Sequence, residues 1–479
     1  MAAERRRGAV ATGARIATGV VVVALAAAVT GAALVLPLPG VTATPSSVRI
    51  EPRPAEAVRS CSGPLVRLSD DSGQDATAIS TVGSAAVTAA AADPAAALDI
   101  ATLTSPDDVA EGSLPVRVAL PAAEAGAEVL FGAAQSQSVA SGELVGLAAT
   151  ACGEASADSW LAAGATTVGR TSFVVLTNPG EVAAVVDVTV FGDQGVLEAP
   201  GGQNIDVPAR STRILSLAGL APEQADPVVH VVASVGAVSA AVQQSVVRGL
   251  EPGGVELTGP TAPPATVQTL AGMQVSGTST IAERLVASAD ATDLQSVLRL
   301  FVPGTEPASV TVRIAEEKTG GAQTEYQVGL NPGIVTEFPL QDIPDGTYTV
   351  TATADQPIVL GGRTSTIANG VTDFAWYQAV QPLGTSFFVP TAEGPGPRLH
   401  LVNDTGADVQ VTVTSTDGQS SEYTFVPGGR SVGLTAGTSY TVTASAPVSA
   451  AVSFFGDGQS AAYAIAPPSP AASPIVVYP

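Results

Sequence analysis

The first residue whose type and spacing could do chemistry is a serine in a GxSxG pattern, Gly429-Arg430-Ser431-Val432-Gly433. In hydrolases such a serine occupies a strand–turn–helix elbow, and its catalytic histidine follows later in the chain. Here the flanking residues alternate like strands, and no histidine follows Ser431. The pattern therefore predicts a β turn at this serine and no nucleophilic catalysis.

Acidic residues are the second candidates, because carboxylates bind metal ions and catalyse glycoside hydrolysis. Asp70, Asp71 and Asp75 form the densest local group, but the alternating ligands and distal glutamate of an EF-hand loop are missing. We interpret this group as a polar loop rather than a calcium site. A catalytic carboxylate pair is defined by its separation in three dimensions, so a hydrolase with acidic catalytic residues stays open as an alternative.

Histidines and tryptophans could bind zinc or stack on sugars. His230 and His400 lie in apolar, alternating segments of different predicted domains, which argues against a shared zinc site. Trp160 and Trp376 fit either sugar-stacking platforms or core side chains, and the core is the commoner place for a lone tryptophan. The phosphate-binding pattern GxxxxGK[ST] does not occur. We therefore predict no catalytic, metal-binding or cofactor-binding residues.

The two cysteines, Cys61 and Cys152, both follow an apolar N-terminal run that predicts export. An oxidising compartment favours their pairing. A redox or metal site is the alternative, but no CxxC motif exists and neither histidine lies near a cysteine in the sequence. The sequence predicts a structural disulfide.

The elements that must position these residues begin with an uncharged apolar run over 16–36, preceded by four arginines. At ~1.5 Å per residue a helix of this length crosses a hydrocarbon core of ~30 Å. The basic flank should stay in the cytoplasm, which places the bulk of the chain outside. We predict a single-pass signal anchor in the cell membrane. A cleavable signal peptide, with a cleavage site at Val41-Thr42-Ala43, is the alternative.

Composition limits the classes of function. The 479 residues suggest three to four domains at ~100–150 residues each. The net charge is −23, from 43 acidic and 20 basic residues, and Lys318 is the only lysine. Such a surface repels phosphate backbones, so we predict no nucleic-acid binding. The acidity favours solubility, with a diffuse attraction for Ca²⁺ or basic partners as the alternative.

A pattern of strand, tight turn and alternating strand recurs three times, beginning at 173–180, 298–304 and 399–406. Period-two alternation is typical of a strand with one buried face. The alternating residues are Val186, Val188 and Val190; Val310, Val312 and Ile314; and Val409, Val411 and Val413. Short strands separated by Pro and Gly turns indicate antiparallel sandwiches. The predicted fold is all-β, with serial antiparallel β-sandwich (immunoglobulin-like) domains after one N-terminal transmembrane helix.

The first of these domains is the least regular. Ala85–Ala97 is helical by propensity, whereas Val116–Leu120, Glu128–Phe131 and Val139–Ala149 resemble strands. The predicted organisation, in chain order, is a cytoplasmic basic tail (1–15), the transmembrane helix (16–36), a Pro/Thr/Ser-rich stalk (37–58), a diverged β domain closed by the disulfide (59–164), a β-sandwich (165–255), a linker (256–279), two further β-sandwiches (280–382 and 383–466) and a tail (467–479).

Several of these residues carry a family resemblance. Trp160–Arg170, the sequence Leu176–Gly180 that follows, Asp373–Tyr377 and the cysteine pair resemble an uncharacterised family of actinobacterial exported proteins, the domain of unknown function 5719. The resemblance covers most of the chain after the apolar run. It implies an extracytoplasmic, membrane-attached protein, and it transfers no activity, substrate or binding residue.

The function that the sequence favours is a structural or protein-interaction role at the cell envelope, without enzymatic activity. Its partners would be the membrane, through one N-terminal helix, and envelope proteins or wall polymers. A carbohydrate or cell-wall polymer binding module is the first alternative, and an exposed row of aromatic side chains would favour it. The cryptic hydrolase is the second alternative, and a deep cleft with two convergent carboxylates would favour that one.

Overall fold

The structure is a computed structural model and describes residues 17–28, 48–50, 56–69, 78–110, 112–122, 130–467 and 475–477. The chain divides into two compact units. One comprises Met1–Pro52 with Ser473–Pro479, and the other comprises Arg53–Ala472.

The smaller unit contains helix α1 (17–28) and strand β1 (Val48–Ile50), which pairs antiparallel with a strand over Ile475–Val477, β34 in chain order. The predicted membrane helix is thus helical over 17–28, while residue 16 and residues 29–36 lie outside the described residues. None of the helices that the structure describes is long and apolar enough to span a membrane. The anchor stays a prediction, and the predicted cytoplasmic tail also falls outside the description.

The larger unit begins with a segment of small sheets, segment 1 (57–151). β2, β7 and β6 form one antiparallel sheet, β5, β8 and β9 form another, and β3 pairs with β4. The strands are β2 (Ala57–Cys61), β3 (Leu65–Leu68), β4 (Ile79–Val82), β5 (Ala86–Ala91), β6 (Asp99–Thr102), β7 (Val116–Leu120), β8 (Phe131–Val139) and β9 (Gly146–Ala151).

Two predictions for segment 1 are corrected. The helix expected over Ala85–Ala97 is wrong, because Ala86–Ala91 is a strand paired with β8 over its whole length. The strand expected over Val139–Ala149 is wrong as a single element, because β8 ends at Val139 and β9 begins at Gly146. Here the β8 ladder outweighs the helix propensity of alanine, which is worth only tenths of a kcal/mol per residue. Part of the strand predicted over Glu128–Phe131 lies outside the described residues.

Segment 2 (158–258) consists of two antiparallel sheets. One has the order β10-β16-β12-β13 with β14 on β12, and the other has the order β15-β11-β17-β18. The elements are β10 (Asp158–Leu161), β11 (Arg170–Asn178), β12 (Ala184–Gly192), β13 (Gly195–Val196), a 3₁₀ helix (Pro200–Gly202), β14 (Ile205–Val207), β15 (Ser211–Ser216), α2 (Leu217–Leu220), β16 (Val228–Val235), β17 (Ser239–Arg248) and β18 (Glu251–Thr258).

Segment 3 (265–380) contains a strand of 23 residues, β24, that belongs to both of its sheets. The first part of β24 pairs with β19 and β21, and the second part pairs with β20 and β25. The elements are β19 (Ala265–Val275), α3 (Thr278–Ala287), a 3₁₀ helix (Ala289–Leu294), β20 (Val297–Phe301), β21 (Ala308–Glu316), β22 (Gln323–Leu330), β23 (Val335–Pro339), β24 (Gly346–Ala368) and β25 (Val371–Val380).

Segment 4 (386–464) again has two antiparallel sheets, in the orders β26-β31-β28-β29 and β30-β27-β32-β33. Its strands are β26 (Ser386–Pro390), β27 (Arg398–Asn403), β28 (Val409–Ser415), β29 (Ser420–Phe425), β30 (Gly428–Gly433), β31 (Ser439–Ala444), β32 (Ser449–Gly456) and β33 (Gln459–Ala464).

Segments 2, 3 and 4 repeat one order of strands, and in each the two sheets share a hydrophobic cluster. β12, β21 and β28 occupy the same place in this order. Buried and more exposed positions alternate along all three, as the sequence pattern predicts. The apolar face of each alternating strand therefore builds the core of its own segment.

The four segments meet through their last strands. β9 packs against β18 and β33, and β25 packs against the same two strands. Arg53–Ala472 is accordingly one compact unit rather than a row of separate bodies. The small side chains of β9, including Ala148 and Ala149, permit this close approach of strands and are buried in it.

Candidate functional site

Ser431 does not lie on a nucleophile elbow. It lies within strand β30, half-buried, so the predicted turn at this residue is wrong. Its Oγ accepts a hydrogen bond from Arg398 Nε at 3.0 Å. Its neighbour across the ladder is His400, but that histidine hydrogen-bonds to other residues.

Asp70, Asp71 and Asp75 lie outside the described residues. Within the part of the chain that the structure describes, no group of three or more His, Cys, Asp and Glu side chains could hold a metal ion. Cys61 and Cys152 form a disulfide, as predicted, and it joins the end of β2 to the residue after β9.

Both tryptophans are packed inside the protein. Trp160 is 7% exposed and stacks on His230, with ring centroids 3.8 Å apart. His230 Nε2 lies 3.0 Å from Asp158 Oδ2, so this histidine has an acidic partner. Trp376 is 1% exposed and donates through Nε1 to Gln244 at 2.7 Å. Neither ring therefore forms an exposed platform for stacking on a sugar.

His400 is the middle member of a hydrogen-bonded serine–histidine–glutamate array, which was not predicted from the sequence. Its Nε2 lies 2.7 Å from Ser453 Oγ, and its Nδ1 lies 2.6 Å from Glu317 Oε2. Nucleophilic hydrolases arrange their serine, histidine and acid in this order. The three residues come from β32, from β27 and from the turn after β21, so they join segments 3 and 4.

The burial of these three side chains distinguishes them from a working catalytic triad. His400 is fully buried, and Ser453 is only 5% exposed. The backbone of Gly272 covers the imidazole so closely that a Cβ there would overlap the ring, and Gly272 N donates to Glu317 Oε1 at 2.9 Å. Neither of the two cavities described below is lined by Ser453 or His400. The arrangement holds a junction together and gives a substrate no route to the serine.

The electrostatics of this junction favour an ionised acid. Burial raises the pKa of Glu317, but the adjacent His400 ring and hydrogen bonds from His400, Thr349 and Gly272 outweigh it and lower the pKa below its usual range. Thr349 Oγ1 donates to Glu317 Oε1 at 2.8 Å. Glu317 is therefore a buried carboxylate with all its partners supplied by the protein.

A second buried acid lies where all four segments meet. Asp373 of β25 accepts backbone hydrogen bonds from Leu147 at 2.9 Å, Val255 at 3.3 Å and Ser460 at 3.1 Å, one from each of the other three segments. Burial raises the pKa of Asp373, and the backbone N–H donors oppose that rise. Burial also raises the pKa of neighbouring Glu256 well above its usual range. These two carboxyls are enclosed, so they do not line an open cleft.

A cleft of about 620 Å³ lies between segments 2 and 3. Three guanidinium groups converge on Asp293 at its edge: those of Arg170 and Arg248, each at 2.8 Å, and that of Arg363 at 3.4 Å. Arg299 pairs with Glu337 at 2.8 Å, and its guanidinium lies over the Trp376 ring, 4.5 Å from the centroid. We call this the arginine cleft.

A smaller cavity, of about 410 Å³, touches all four segments beside the disulfide. Its lining combines aromatic rings with the Arg59–Glu154 ion pair. The rings are themselves largely buried in the protein. They belong to Phe131, Trp160, Phe387, Phe388 and Tyr463.

A signal for these junctions is present in the repeated strands. Arg299 and His400 occupy the same place in β20 and β27, between two leucines, and Val175 occupies it in β11. Alternation predicts that such a residue faces away from the core of its own segment. In the structure a neighbouring segment covers each of the three, so a charged or polar residue there marks a junction rather than free surface.

These observations define an all-β protein of antiparallel sheets, with its buried charges concentrated between segments. The chain belongs to a family of unknown function, DUF5719, whose model matches residues 109–445. No curated protein matches the chain.

Proposed function

We propose that this protein is anchored in the cell membrane, carries its bulk outside the cytoplasm as serial immunoglobulin-like β-sandwich domains, and has a structural or protein-interaction role at the envelope. The apolar run over 16–36 with its basic flank supports the topology. The strand order shared by segments 2, 3 and 4 supports the serial sandwiches. A disulfide is consistent with an oxidising compartment.

The observation that carries the interaction role is a group of exposed apolar side chains. Val168 is 88% exposed, Leu250 is 98% exposed and Val286 is 92% exposed. The elements that bear them are neighbours, because Val247 N donates to Gly169 O at 2.8 Å and Arg284 pairs with Glu251 at 3.4 Å. Clustered exposed apolar residues mark interaction sites, whereas single ones are ordinary.

The two alternatives have less support. Among the described residues Tyr423 is the only exposed aromatic side chain, which gives a sugar-binding surface no row of rings. The hydrolase would need two free carboxylates that converge in a cleft. Asp373 and Glu256 are fully buried, and in the arginine cleft the carboxylates of Asp293 and Glu337 are paired with arginines. A role without catalysis accounts for both observations.

Two experiments on the full chain in its native envelope test the proposal. A reporter enzyme that is active only outside the cytoplasm, fused after Pro479, should be active. A photo-crosslinker at position 250 or 286 should yield one discrete protein adduct, and the same probe at Val196, which is 63% exposed in segment 2, should not. An inactive reporter would refute the topology, and equal labelling from all three positions would refute the interaction surface.

A further inference from the structure

The arginine cleft holds a buried cation that the protein leaves largely unbonded. Arg363 is 5% exposed and lines the cleft. Its hydrogen bond to Asp293 Oδ2 is long, at 3.4 Å, and its Nε has no hydrogen-bond partner. A guanidinium group carries five N–H donors, so most of the capacity of this one is unused.

The other arginines around Asp293 are better satisfied. Arg248 binds the carboxylate with two bonds, Nε–Oδ1 at 2.9 Å and Nη2–Oδ2 at 2.8 Å. Arg170 Nη2 donates to Asp293 Oδ1 at 2.8 Å and to the Asp290 carbonyl at 2.7 Å. The oxygens of Asp293 therefore accept their shorter hydrogen bonds from Arg248 and Arg170, and Arg363 makes only the longer contact.

The charges of the site are unbalanced around Asp293. Three guanidinium groups share that one carboxylate, while Glu337 is paired with Arg299 and exposed Asp290 stands at the rim. Burial lowers the pKa of Arg363. The carboxylates of Asp293 and Glu337 oppose this shift, and the neighbouring cations Arg248 and Arg299 add to it. A buried cation without a full set of partners costs free energy, which a bound anion would recover.

The walls of the cleft hold Arg363 in place. Its guanidinium lies over the Phe374 ring, 4.5 Å from the centroid, and 6.0 Å from that of Trp376. Stacking on an aromatic face fixes the plane of the guanidinium and leaves its edge free for hydrogen bonds. A planar fork of this kind matches the oxygens of carboxylate and phosphate groups.

We propose that the arginine cleft binds an oxyanion of the phosphate or carboxylate class, held by Arg363. The volume of about 620 Å³ admits a group attached to a larger ligand as well as a free ion. The proposal does not depend on the membrane anchor or on the exposed apolar group described above.

Titration of the purified full chain with inorganic phosphate or acetate, against chloride at equal ionic strength, tests the proposal. We expect saturable binding and a higher unfolding temperature with at least one of the two anions. The anion that binds more tightly distinguishes the phosphate from the carboxylate class. Arg363→Gln should weaken its binding roughly tenfold or more, because it removes a charge-assisted contact. Arg313→Gln, at an exposed arginine of β21, should not.

A second variant keeps the test decisive if Arg363→Gln folds poorly. Asp293→Asn removes the internal carboxylate but keeps the three arginines, so the bound anion should raise its unfolding temperature more than that of the unchanged protein. Binding that never saturates, or that is equal in Arg363→Gln and Arg313→Gln, would overturn the proposal. So would an Asp293→Asn protein whose unfolding is insensitive to both anions.

Discussion

At the scale of single residues, the most informative feature is the number of charges that the protein buries and pairs. The side chains of Glu317, Arg299 and Arg363 are each at most 6% exposed, and each contacts a group of opposite charge or a histidine. Buried ion pairs add little net stability when intact, but removing one partner leaves an uncompensated charge. Replacing only one member of such a pair should therefore cost more stability than the intact pair contributes.

The histidine between Glu317 and Ser453 gives the first prediction. His400→Ala leaves a carboxylate buried without its strongest partner and should destabilise the protein by about 3–5 kcal/mol. Ser453→Ala removes one hydrogen bond and should cost about 1 kcal/mol. Urea denaturation of both variants measures these costs, with half-buried Ser431→Ala as the control.

The same pair of serines tests for hidden chemistry. A fluorophosphonate probe should label neither Ser453 nor Ser431. Ser453 is only 5% exposed and lines neither cavity, and Ser431 lies on a strand with no histidine bonded to it. Labelling of Ser453 in the folded protein would mean that the triad-like chain is an active site.

The second prediction concerns Asp293 and pH. Burial raises the pKa of Asp293, but Arg363, Arg248 and Arg170 outweigh burial and lower the pKa to about 2. A depressed folded-state pKa contributes stability above the unfolded value of ~3.9, and this stability is lost as the pH falls toward 2. The size of this contribution is about 2–3 kcal/mol, from ~1.4 kcal/mol per pKa unit.

Denaturation from pH 7 to pH 2 checks this linkage. The difference in unfolding free energy between the unchanged protein and Asp293→Asn should be constant from pH 7 to about pH 5 and should shrink between about pH 4 and pH 2. A difference that stays constant down to pH 2 would show that Asp293 does not titrate as an arginine-paired carboxylate.

At the scale of elements, the strands contact one another where side chains are small or absent. Gly272, in strand β19, has φ +73° and touches the His400 ring of segment 4. Such a glycine serves both a left-handed backbone conformation and a close approach. Close contacts between segments, such as this one, depend on the absence of a Cβ atom.

Gly272→Ala gives the third prediction. The added Cβ must displace His400, so the variant should lose at least about 2 kcal/mol more than the left-handed backbone alone costs. Gly320→Ala is the matched control, because Gly320 has φ +69° and open space around the Cβ position. Equal unfolding free energies for the two variants would contradict the proposed contact.

The disulfide gives the fourth prediction. Closing a loop of this length stabilises by ~4–5 kcal/mol in the chain-entropy model, and often by less. The double variant Cys61→Ser with Cys152→Ser should speed hydrogen exchange in β2 and β9. It should also affect β33, because β9 packs against that strand. An increase in hydrogen exchange that is confined to segment 1 would mean that β9 is not coupled to segment 4.

At the scale of the whole molecule, Asp373 connects all four segments through one carboxyl. Asp373→Ala leaves the N–H groups of Leu147, Val255 and Ser460 without their acceptor. At ~1–3 kcal/mol for each orphaned donor, the loss should be at least about 3 kcal/mol.

Unfolding followed by two probes checks this fifth prediction. In the unchanged protein, tryptophan fluorescence from segments 2 and 3 and hydrogen exchange in segments 1 and 4 should report one transition, which Asp373→Ala should move or split. Asp345→Ala is the control, because Asp345 also accepts two backbone N–H groups, from Gly277 and Thr278, but within one segment. Four separate transitions in the unchanged protein would refute the single unit.

The sequence by itself determined the β content, the three alternating strands and the cysteine pair. Alternation reports which face of a strand meets its own core, and it is a local property, so Val188, Val312 and Val411 could be assigned in advance. The helix expected over Ala85–Ala97 failed because propensity is weak against a paired neighbour such as β8.

Only the tertiary structure decided what the outward faces do. Alternation places Arg299 and His400 away from the core of their own segment, and it cannot reveal that another segment covers them. The partners of His400 and Asp373 lie 53 to 226 residues away in sequence, and no periodicity connects them. Packing between segments covers residues that alternation places away from their own core, and this creates the buried charges and the arginine cleft. The same packing buries the only triad-like geometry found among the described residues.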